Sequence, residues 1–208
     1  MKLFNFIKKT NDNFSQSGQD QFAYNVSGLD AYYLEIGAHH PLINSNTYNL
    51  ETKCGWKGLS IEYDKSYEKY WETCKERKNE VIWDDAFNIN YSSIIEQRKF
   101  PNKLNYLSCD IEPAENTYSI LEKIINSNLS FDYISFEHDK YNIGNKYEEL
   151  SKQYLLGHNY KIAIKNVYSR NKKYKIYETW FVHNSVNFDE ISYEQWKSKY
   201  YNKNKFSI

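Results

Sequence analysis

Two stretches decide the fold class: Ala31-Tyr-Tyr-Leu-Glu-Ile-Gly37 and Lys57-Gly-Leu-Ser-Ile-Glu62. Each is a short apolar run that ends on a glycine or an acid, a pattern typical of a buried parallel strand followed by a turn. Between them, Ser45-Asn-Thr47 is suited to begin a helix and Gly55 to end one. We therefore predict a strand–helix–strand unit over residues 31–62.

The same alternation continues along the chain. Further strands are predicted at 81–83, 104–109 and 131–136, and further helices at 65–75, 114–125, 147–156 and 193–200. Two late apolar runs, 160–167 and 174–182, are joined by the polar turn 169–173 and predict a hairpin. The order predicts one α/β domain over 1–208, with a mainly parallel sheet, helices on both faces and an antiparallel strand from the hairpin. Residues 1–13 are expected to be an N-terminal extension, and 190–208 a C-terminal helix and tail.

The composition excludes several classes of protein. The 208 residues contain 27 Lys+Arg and 27 Asp+Glu, so there is no basic excess for gripping a nucleic-acid backbone. An aromatic content of 18% argues for a packed core, because disordered chains are poor in aromatics. The three cysteines have no paired spacing, which favours free thiols and a cytoplasmic location. No apolar stretch is long enough to span a bilayer, so no membrane partner is expected.

Acidic side chains follow five of the predicted strands, at the point where each strand ends. The first strand ends in Glu35-Ile-Gly-Ala-His-His40, and the others are followed by Glu62, Asp84-Asp85, Asp110-Ile-Glu112 and Glu137-His-Asp139. In open α/β sheets, ligands bind at the carboxyl ends of the strands. Any one of these acids alone could simply cap a helix or lie in a solvated loop, but together they indicate a binding site.

The first two strand ends have a nucleotide-binding layout. Gly37 allows a ligand to approach the backbone, and a carboxylate at Glu62 can accept hydrogen bonds from both ribose hydroxyls. The Gly-x-Gly-x-x-Gly turn that holds a pyrophosphate is missing, which disfavours NAD and FAD. A ligand with a ribose and no phosphate, such as S-adenosylmethionine, fits this pattern, and Asp84-Asp85 could reach its adenine amino group.

Several motifs together resemble the FkbM-type methyltransferases. They are Phe14-Ser-Gln-Ser-Gly-Gln-Asp20, Glu35-Ile-Gly-Ala-His-His-Pro41, Ser45-Asn-Thr47, Gly55-Trp-Lys-Gly-Leu-Ser-Ile-Glu62, Leu107-Ser-Cys-Asp-Ile-Glu112 and Glu178-Thr-Trp-Phe-Val182. The resemblance covers about residues 14–190. It implies a class I methyltransferase Rossmann-like fold with a seven-stranded sheet, and S-adenosylmethionine as cofactor. Pro113 departs from the commoner Asp-x-Glu-Gly-Ala-Glu pattern, so the substrate of the polyketide members is not carried over.

The resemblance also implies which residues hold the cofactor. Glu35, Gly37 and Ala38 correspond to the turn with which the family binds the cofactor, Glu62 to the acid that binds the ribose, and Asp85 with Ala86 to the residues that flank the adenine. The residues expected near the methionine end are Gln19, Asp20, Asn46 and Thr47, and Tyr63 and Asp110 are expected as further cofactor-binding residues. Gln19 and Asp20 could instead begin a helix, and Asn46 is a good helix cap.

Methyl transfer to a hydroxyl needs the acceptor aligned and its proton removed. The catalytic candidates are His138, Asp110, Glu137 and His39, because a histidine beside a carboxylate is a suitable base near neutral pH. Asp110, Glu137 and His138 could alternatively bind Mg²⁺ or Mn²⁺, whose preferred ligands are oxygen and imidazole. A third interpretation gives His138 and Asp139 only a capping role in the following loop.

The predicted function is an S-adenosylmethionine-dependent O-methyltransferase acting on a hydroxyl of a sugar, glycan or nucleotide-sugar. The alternatives are O-methylation of a lipid or polyketide-like small molecule, and a catalytically idle binding module with the cofactor fold. A nucleic-acid substrate is not expected, because Asp110-Ile-Glu-Pro113 lacks the aromatic residue that clamps a flipped base. The chain is expected to act as a monomer or a homodimer.

Overall fold

The structure, a computed structural model, describes residues 14–169 and 175–199. The predicted extension 1–13, the hairpin turn 170–173 and the tail 200–208 lie outside the described residues. The strands are β1 Tyr32–Ile36, β2 Lys57–Glu62, β3 Glu80–Trp83, β4 Lys103–Cys109, β5 Ser130–Glu137, β6 Tyr160–Tyr168, β7 Ile176–His183 and β8 Ile191–Ser192. The helices are α1 Gln19–Ser27, α2 Tyr48–Cys54, α3 Glu68–Thr73, α4 Tyr91–Gln97, α5 Ala114–Asn126, α6 Lys140–Ile143, α7 Lys146–Gly157 and α8 Tyr193–Lys199. Single 3₁₀ turns lie at Lys65–Tyr67 and Ala86–Asn88.

All the strands of the described part belong to one sheet, in the order β3-β2-β1-β4-β5-β7-β6-β8. Strands β1 to β5 pair in parallel, and β7 runs antiparallel between β5 and β6. This confirms the predicted mainly parallel sheet with an antiparallel C-terminal hairpin. The eighth strand, β8, was not predicted, because two residues pairing with β6 leave no periodic signal.

Helices cover both faces of the sheet, as predicted. One face packs against α5 and α7 through Ile120, Leu121 and Leu155. The other packs against α1, α2 and α8, with Phe22, Leu50 and Trp196 in its core. Aromatic side chains therefore supply a large part of the core, which helps a polar chain to bury enough apolar surface to fold.

The face under α1 and α2 changes character along the strands, because alternate residues share a face. At the amino ends it carries the rings of Tyr33, Tyr106 and Tyr133, which are adjacent in register. One step on come Glu35, Ser60, Ser108 and Ser135. At the carboxyl edge the same face presents Gly37, Glu62, Asp110, Glu137 and Glu178. The acids predicted at the strand ends are therefore brought to one edge.

Two further predictions can be compared with the described residues. Cys54, Cys74 and Cys109 are free and buried, as expected from their spacing. No described helix combines the length and the apolar character needed to cross a bilayer.

Candidate active site

A pocket of about 240 Å³ opens at the carboxyl ends of β1, β2 and β3. Six of its lining residues are ones that the sequence predicts to contact the cofactor: Gly37, Glu62, Tyr63, Asp84, Asp85 and Ala86. The others are Ile61, Phe87, Ile111, Glu112 and Asn116. Drug-sized ligands typically occupy about 300–1,000 Å³, so this pocket matches one moiety of a cofactor, such as a nucleoside.

The backbone directly after β4 leaves no room for a side chain at Gly37. A Cβ at this position would lie 1.7 Å from the backbone oxygen of Asp110, and its φ of 82° is in the left-handed region. The sequence suggested that the glycine makes room for a ligand. The structure adds a reason within the protein: β1 and β4 approach each other at their carboxyl ends, where the pocket begins.

Glu62 is held in a fixed orientation by two backbone donors. Its Oε2 accepts from the amide of His39 at 2.6 Å, and its Oε1 accepts from the amide of Asp64 at 2.7 Å. Each carboxylate oxygen has a second lone pair that can accept a further hydrogen bond. Glu62 is therefore a preorganised acceptor on the pocket wall.

Asp85 lines the pocket and also caps the local chain. Its Oδ1 accepts from the amide of Phe87 at 2.9 Å, which begins the 3₁₀ turn. Neighbouring Asp84 accepts from the amide of Asp85 and the side chain of Asn88, and these bonds lower the pKa of Asp84. Both the capping and the binding interpretations of the Asp84-Asp85 pair are thus compatible with the geometry.

Asp110 and Glu137 form a carboxyl pair on adjacent strands. Asp110 directly follows β4 and Glu137 ends β5, and the interaction of the two side chains lowers the pKa of Asp110 and raises that of Glu137. Burial and the charge of Asp110 raise the pKa of Glu137 well above its usual range. Burial also raises the pKa of Asp110, with Asp139 and Glu112 adding to the effect.

Glu178 lies directly opposite Glu137 in the β5–β7 register and was not predicted as a site residue. It is 2% exposed, and its Oε2 accepts from Trp180 Nε1 at 2.7 Å and Gln19 Nε2 at 2.9 Å. Burial raises its pKa to about 8. Its position in an apolar strand, Glu178-Thr-Trp-Phe-Val182, was the available signal, because a buried run rarely contains an unpaired acid.

Two predicted cofactor residues, Glu35 and Thr47, face a buried arginine network instead of the pocket. Glu35 Oε2 accepts from Thr47 Oγ1 at 2.9 Å and Ser60 Oγ at 2.7 Å, with Arg77 Nη2 at 3.7 Å. Arg77 also donates to Glu51 at 2.5 Å and to Thr47 at 2.9 Å. Glu35 lies one step behind the carboxyl edge, which is why it does not reach the pocket.

The residues predicted near the methionine end have well-defined partners of their own. Asp20 accepts from Asn49 Nδ2 at 2.7 Å, and Gln19 holds Glu178. Asn46 donates to Ser108 Oγ at 3.0 Å, while its buried Oδ1 has no partner among the described residues. Ala38, which the resemblance groups with Glu35 and Gly37, is 4% exposed, and its amide donates to the carbonyl of Ile61. Asn46 is therefore the member of this group with a free acceptor.

His138 does not face the carboxyl pair, which corrects its predicted place beside Asp110 and Glu137. It is fully buried, its Nδ1 accepts from the amide of Lys140 and its Nε2 contacts Thr179 Oγ1. Adjacent residues of a strand point to opposite faces, so the ring lies on the other side of the sheet from Glu137. Burial lowers its pKa to about 4.

His39 lies at the exposed side of the site. Its Nε2 contacts the hydroxyl of Tyr67, and its ring lies 4.1 Å from the Tyr67 ring. Its charge acts on Asp110, lowering the pKa of that carboxyl against the effect of burial. His39 is thus the histidine that the structure brings to the predicted site.

The metal interpretation is not supported by the geometry. Within residues 14–169 and 175–199, no group of three or more His, Cys, Asp and Glu side chains is arranged to hold a metal ion. The separation of His138 from Asp110 and Glu137 accounts for this.

A larger cavity, of about 610 Å³, lies at the opposite edge of the sheet. Phe22, Phe188 and Trp196 form its apolar wall, and Lys103 and Asp132 are at its rim. Lys103 and Asp132 form an ion pair at 2.8 Å. None of the predicted site residues lies in this cavity, so the chemistry is expected at the smaller pocket.

Comparison with known proteins shows the fold. No family model and no curated protein matches the chain. Among solved structures, it is similar to an O-methyltransferase from Bacillus cereus in complex with SAH, with a TM-score of 0.57, 14% identity, and coverage of 87% of this chain and 88% of that one. It is also similar to spermidine synthase from Thermotoga maritima, with a TM-score of 0.51, 13% identity, and coverage of 91% and 64%. The chain has a class I methyltransferase Rossmann-like fold, as predicted.

The residues present fit the cofactor that this fold commonly binds. The pocket ends at a carboxylate whose orientation is fixed, as a ribose requires, and Asp85 lies on the β3 side. Beyond Gly37, Asn46 has a buried oxygen without a partner, which suits a cationic donor such as an amino group. Described residues 34–62 contain no glycine-rich turn that could hold a pyrophosphate.

Proposed function

We propose that this protein is an S-adenosylmethionine-dependent O-methyltransferase that resembles the FkbM type. The observation that supports this most directly is the fixed carboxylate of Glu62 in the pocket beyond β2, with Asp85 and Ala86 on its β3 side. The absence of a phosphate-binding turn around Gly37 favours a nucleoside ligand without phosphates. The same arrangement would also serve a binding module without activity, which the experiment below separates.

In this proposal, the cofactor supplies an electrophilic methyl group and the protein supplies orientation and proton acceptance. Glu62 accepts hydrogen bonds from the ribose hydroxyls, Asp85 lies near the adenine, and Asn46 Oδ1 accepts from the amino group. The Asp110–Glu137 pair accepts the proton of the acceptor hydroxyl, a role for which raised carboxyl pKa values are suited. This assigns the base to the carboxyl pair instead of His138, with His39 as the histidine nearest the site.

For the acceptor, we propose a hydroxyl of a sugar, glycan or nucleotide-sugar. The carboxyl edge offers acceptors for several hydroxyls, and Tyr141, 46% exposed on α6, provides an aromatic surface beside Asp139. A lipid or polyketide-like hydroxyl is the alternative. We further propose a cytoplasmic location, which the three buried free thiols support, and a monomer or homodimer without nucleic-acid or membrane partners.

Titration calorimetry with S-adenosylhomocysteine tests the proposal. We expect Glu62→Ala to weaken binding by about ten- to a hundredfold, because charge-assisted hydrogen bonds are worth about 1.5–3 kcal/mol. The control is Glu96→Ala, which removes an exposed carboxylate from α4 and should leave the dissociation constant unchanged.

Three outcomes are informative. Failure of the wild type to bind at high ligand concentration would exclude the methyltransferase. Equal affinity of Glu62→Ala and wild type would show that the β2 carboxylate is not the ribose ligand. Tight binding without methyl transfer to any acceptor in a panel of sugars, nucleotide-sugars and lipid-like alcohols would favour the binding module.

A further inference from the structure

The loop that connects β1 to α2 is held by the carboxyl end of β2 and by side chains that follow β2. We call this loop, residues 37–47, the cofactor loop. Its first amides, those of Gly37 and Ala38, donate to the carbonyl of Ile61, and the amide of His39 donates to Glu62 Oε2 at 2.6 Å. The position of His39 therefore sets one of the two backbone donors that orient Glu62, the other being the amide of Asp64.

The backbone of His39 has an unfavourable conformation, which contacts with neighbouring residues stabilise. Its φ of 48° lies in the left-handed region, which a residue with a Cβ adopts only where other contacts fix it. On the amide side the contact is Glu62. On the carbonyl side, Trp71 Nε1 donates to the His39 oxygen at 2.8 Å. These two bonds lie on either side of the strained residue.

Trp71 is in turn fixed by Arg77. The guanidinium lies over the indole ring, 4.4 Å from its centroid. The same guanidinium donates to the carbonyl of Pro41 at 3.3 Å and to Ser45 Oγ at 3.0 Å, and so holds the far part of the cofactor loop. Arg77 itself is anchored by Glu51. The contacts form a continuous series from Arg77 through Trp71 and His39 to Glu62.

We propose that Trp71, held by Arg77, is a positioning residue for cofactor binding: it fixes the carbonyl of His39, so that the His39 amide orients Glu62 toward the ribose. This inference rests on the proposed function for its ligand, but the loop contact itself can be measured without one.

The chain offers a matched control for Trp71. Trp56 is also buried, and its Nε1 also donates to a backbone carbonyl at 2.8 Å, that of Gly28, away from the pocket. Trp71→Phe and Trp56→Phe therefore remove the same kind of bond, one beside the cofactor loop and one elsewhere. Both variants keep an aromatic ring, and both are expected to lower the melting temperature.

The two variants should differ in two measurements. Trp71→Phe should raise the dissociation constant of S-adenosylhomocysteine about two- to tenfold, the usual effect of one neutral hydrogen bond, while Trp56→Phe leaves it unchanged. In the ligand-free protein, hydrogen exchange at the His39 amide should be faster in Trp71→Phe than in Trp56→Phe. If Trp71→Phe does not fold, Trp71→Tyr and Trp56→Tyr take the place of the two variants, because tyrosine is closer to tryptophan in size and still lacks the Nε1 donor.

Equal affinities and equal exchange rates in the two tryptophan variants would overturn the inference. Faster exchange at His39 without any change in affinity would show that Trp71 holds the loop but does not position Glu62, which also overturns it. If wild type fails to bind S-adenosylhomocysteine, the proposed function is excluded, and the exchange at His39 still decides whether Trp71 holds the loop.

Discussion

Two groups of buried carboxyl groups lie on the same face of the sheet, and they differ in whether a cation accompanies them. In the first, Glu35 and Glu51 face Arg77 at 3.7 Å and 2.5 Å. In the second, Asp110, Glu137 and Glu178 form no ion pair with a lysine or arginine of the described chain. Along the strands, Glu35 of the first group lies two residues before the carboxyl edge at which the second group lies.

The difference suggests how to tell a structural acid from a functional one in this molecule. Burial raises the pKa of Glu35, and the charge of Arg77 counteracts that effect. Around Glu137 and Glu178 the neighbouring charges are negative, and they add to the effect of burial. Acids that raise one another's pKa destabilise the fold unless protonated, so their retention at the carboxyl edge is better explained by proton transfer or ligand binding.

The most direct test of the difference between the two groups is to remove the cation of the first, Arg77. We expect Arg77→Met to lower the free energy of unfolding by about 3–5 kcal/mol, because it removes the cation from two buried carboxylates, Glu35 and Glu51, and leaves them only neutral hydrogen-bond donors. Urea denaturation at pH 7 measures the change.

A surface ion pair provides the control for Arg77. Arg98→Met breaks the pair with Glu80, whose side chains are 23% and 50% exposed, and should cost about 0–1 kcal/mol. A similar small loss for both variants would show that Arg77 does not compensate the first group.

The second prediction concerns Glu178 and the pH dependence of stability. Its pKa is about 8 in the folded protein and 4.5 as a free side chain, so the folded state binds the proton more tightly. Its contribution to stability is therefore full below about pH 4.5 and is lost as the pH rises to 8. A glutamine side chain cannot titrate, so we expect Glu178→Gln to gain roughly 2–4 kcal/mol relative to wild type between pH 5 and pH 8.

Urea denaturation of both proteins at pH 5, 6.5 and 8 measures this difference. The amide oxygen of the variant can still accept from Trp180 and Gln19, so the packing is preserved. A difference that does not change with pH would mean that Glu178 is ionised throughout this range in the folded protein, and the contrast between the two groups would then fail.

The sequence predicted the fold well, because a parallel sheet depends on local patterns. Apolar runs gave the strands, and Gly55 ended α2 as expected, with φ of 71°. The residues of the pocket wall were found for the same reason: Glu62 and Asp85 follow their strands directly, and the carboxyl ends of parallel strands meet at one edge. Position relative to a strand end was enough to find them.

The remaining site residues depend on contacts that no local pattern records. Arg77 lies in the segment after α3, yet it contacts Glu35, Glu51 and Thr47. The antiparallel pairing of β7 with β5 brings Glu178 to the site. The sequence does not specify which strand pairs with β5. For His138, alternation along a strand already indicates that its ring need not touch Glu137, which directly precedes it.

His138 provides the smallest and last test, because its titration should oppose that of Glu178. Its Nδ1 accepts from the Lys140 amide, so Nε2 carries the proton and donates to Thr179. Burial lowers its pKa from 6.5 to about 4, and its contribution to stability is therefore full above pH 6.5 and is lost as the pH falls toward 4.

Relative to wild type, His138→Gln should gain roughly 1–3 kcal/mol between pH 7 and pH 4.5. The variant is expected to lose the Lys140 bond at every pH, so the change with pH, measured by urea denaturation, decides the matter and the absolute stability does not. A flat difference would mean that His138 protonates in the folded state at its ordinary pKa, and a ring of that kind would have to face solvent or the acids of the site, as the sequence first suggested.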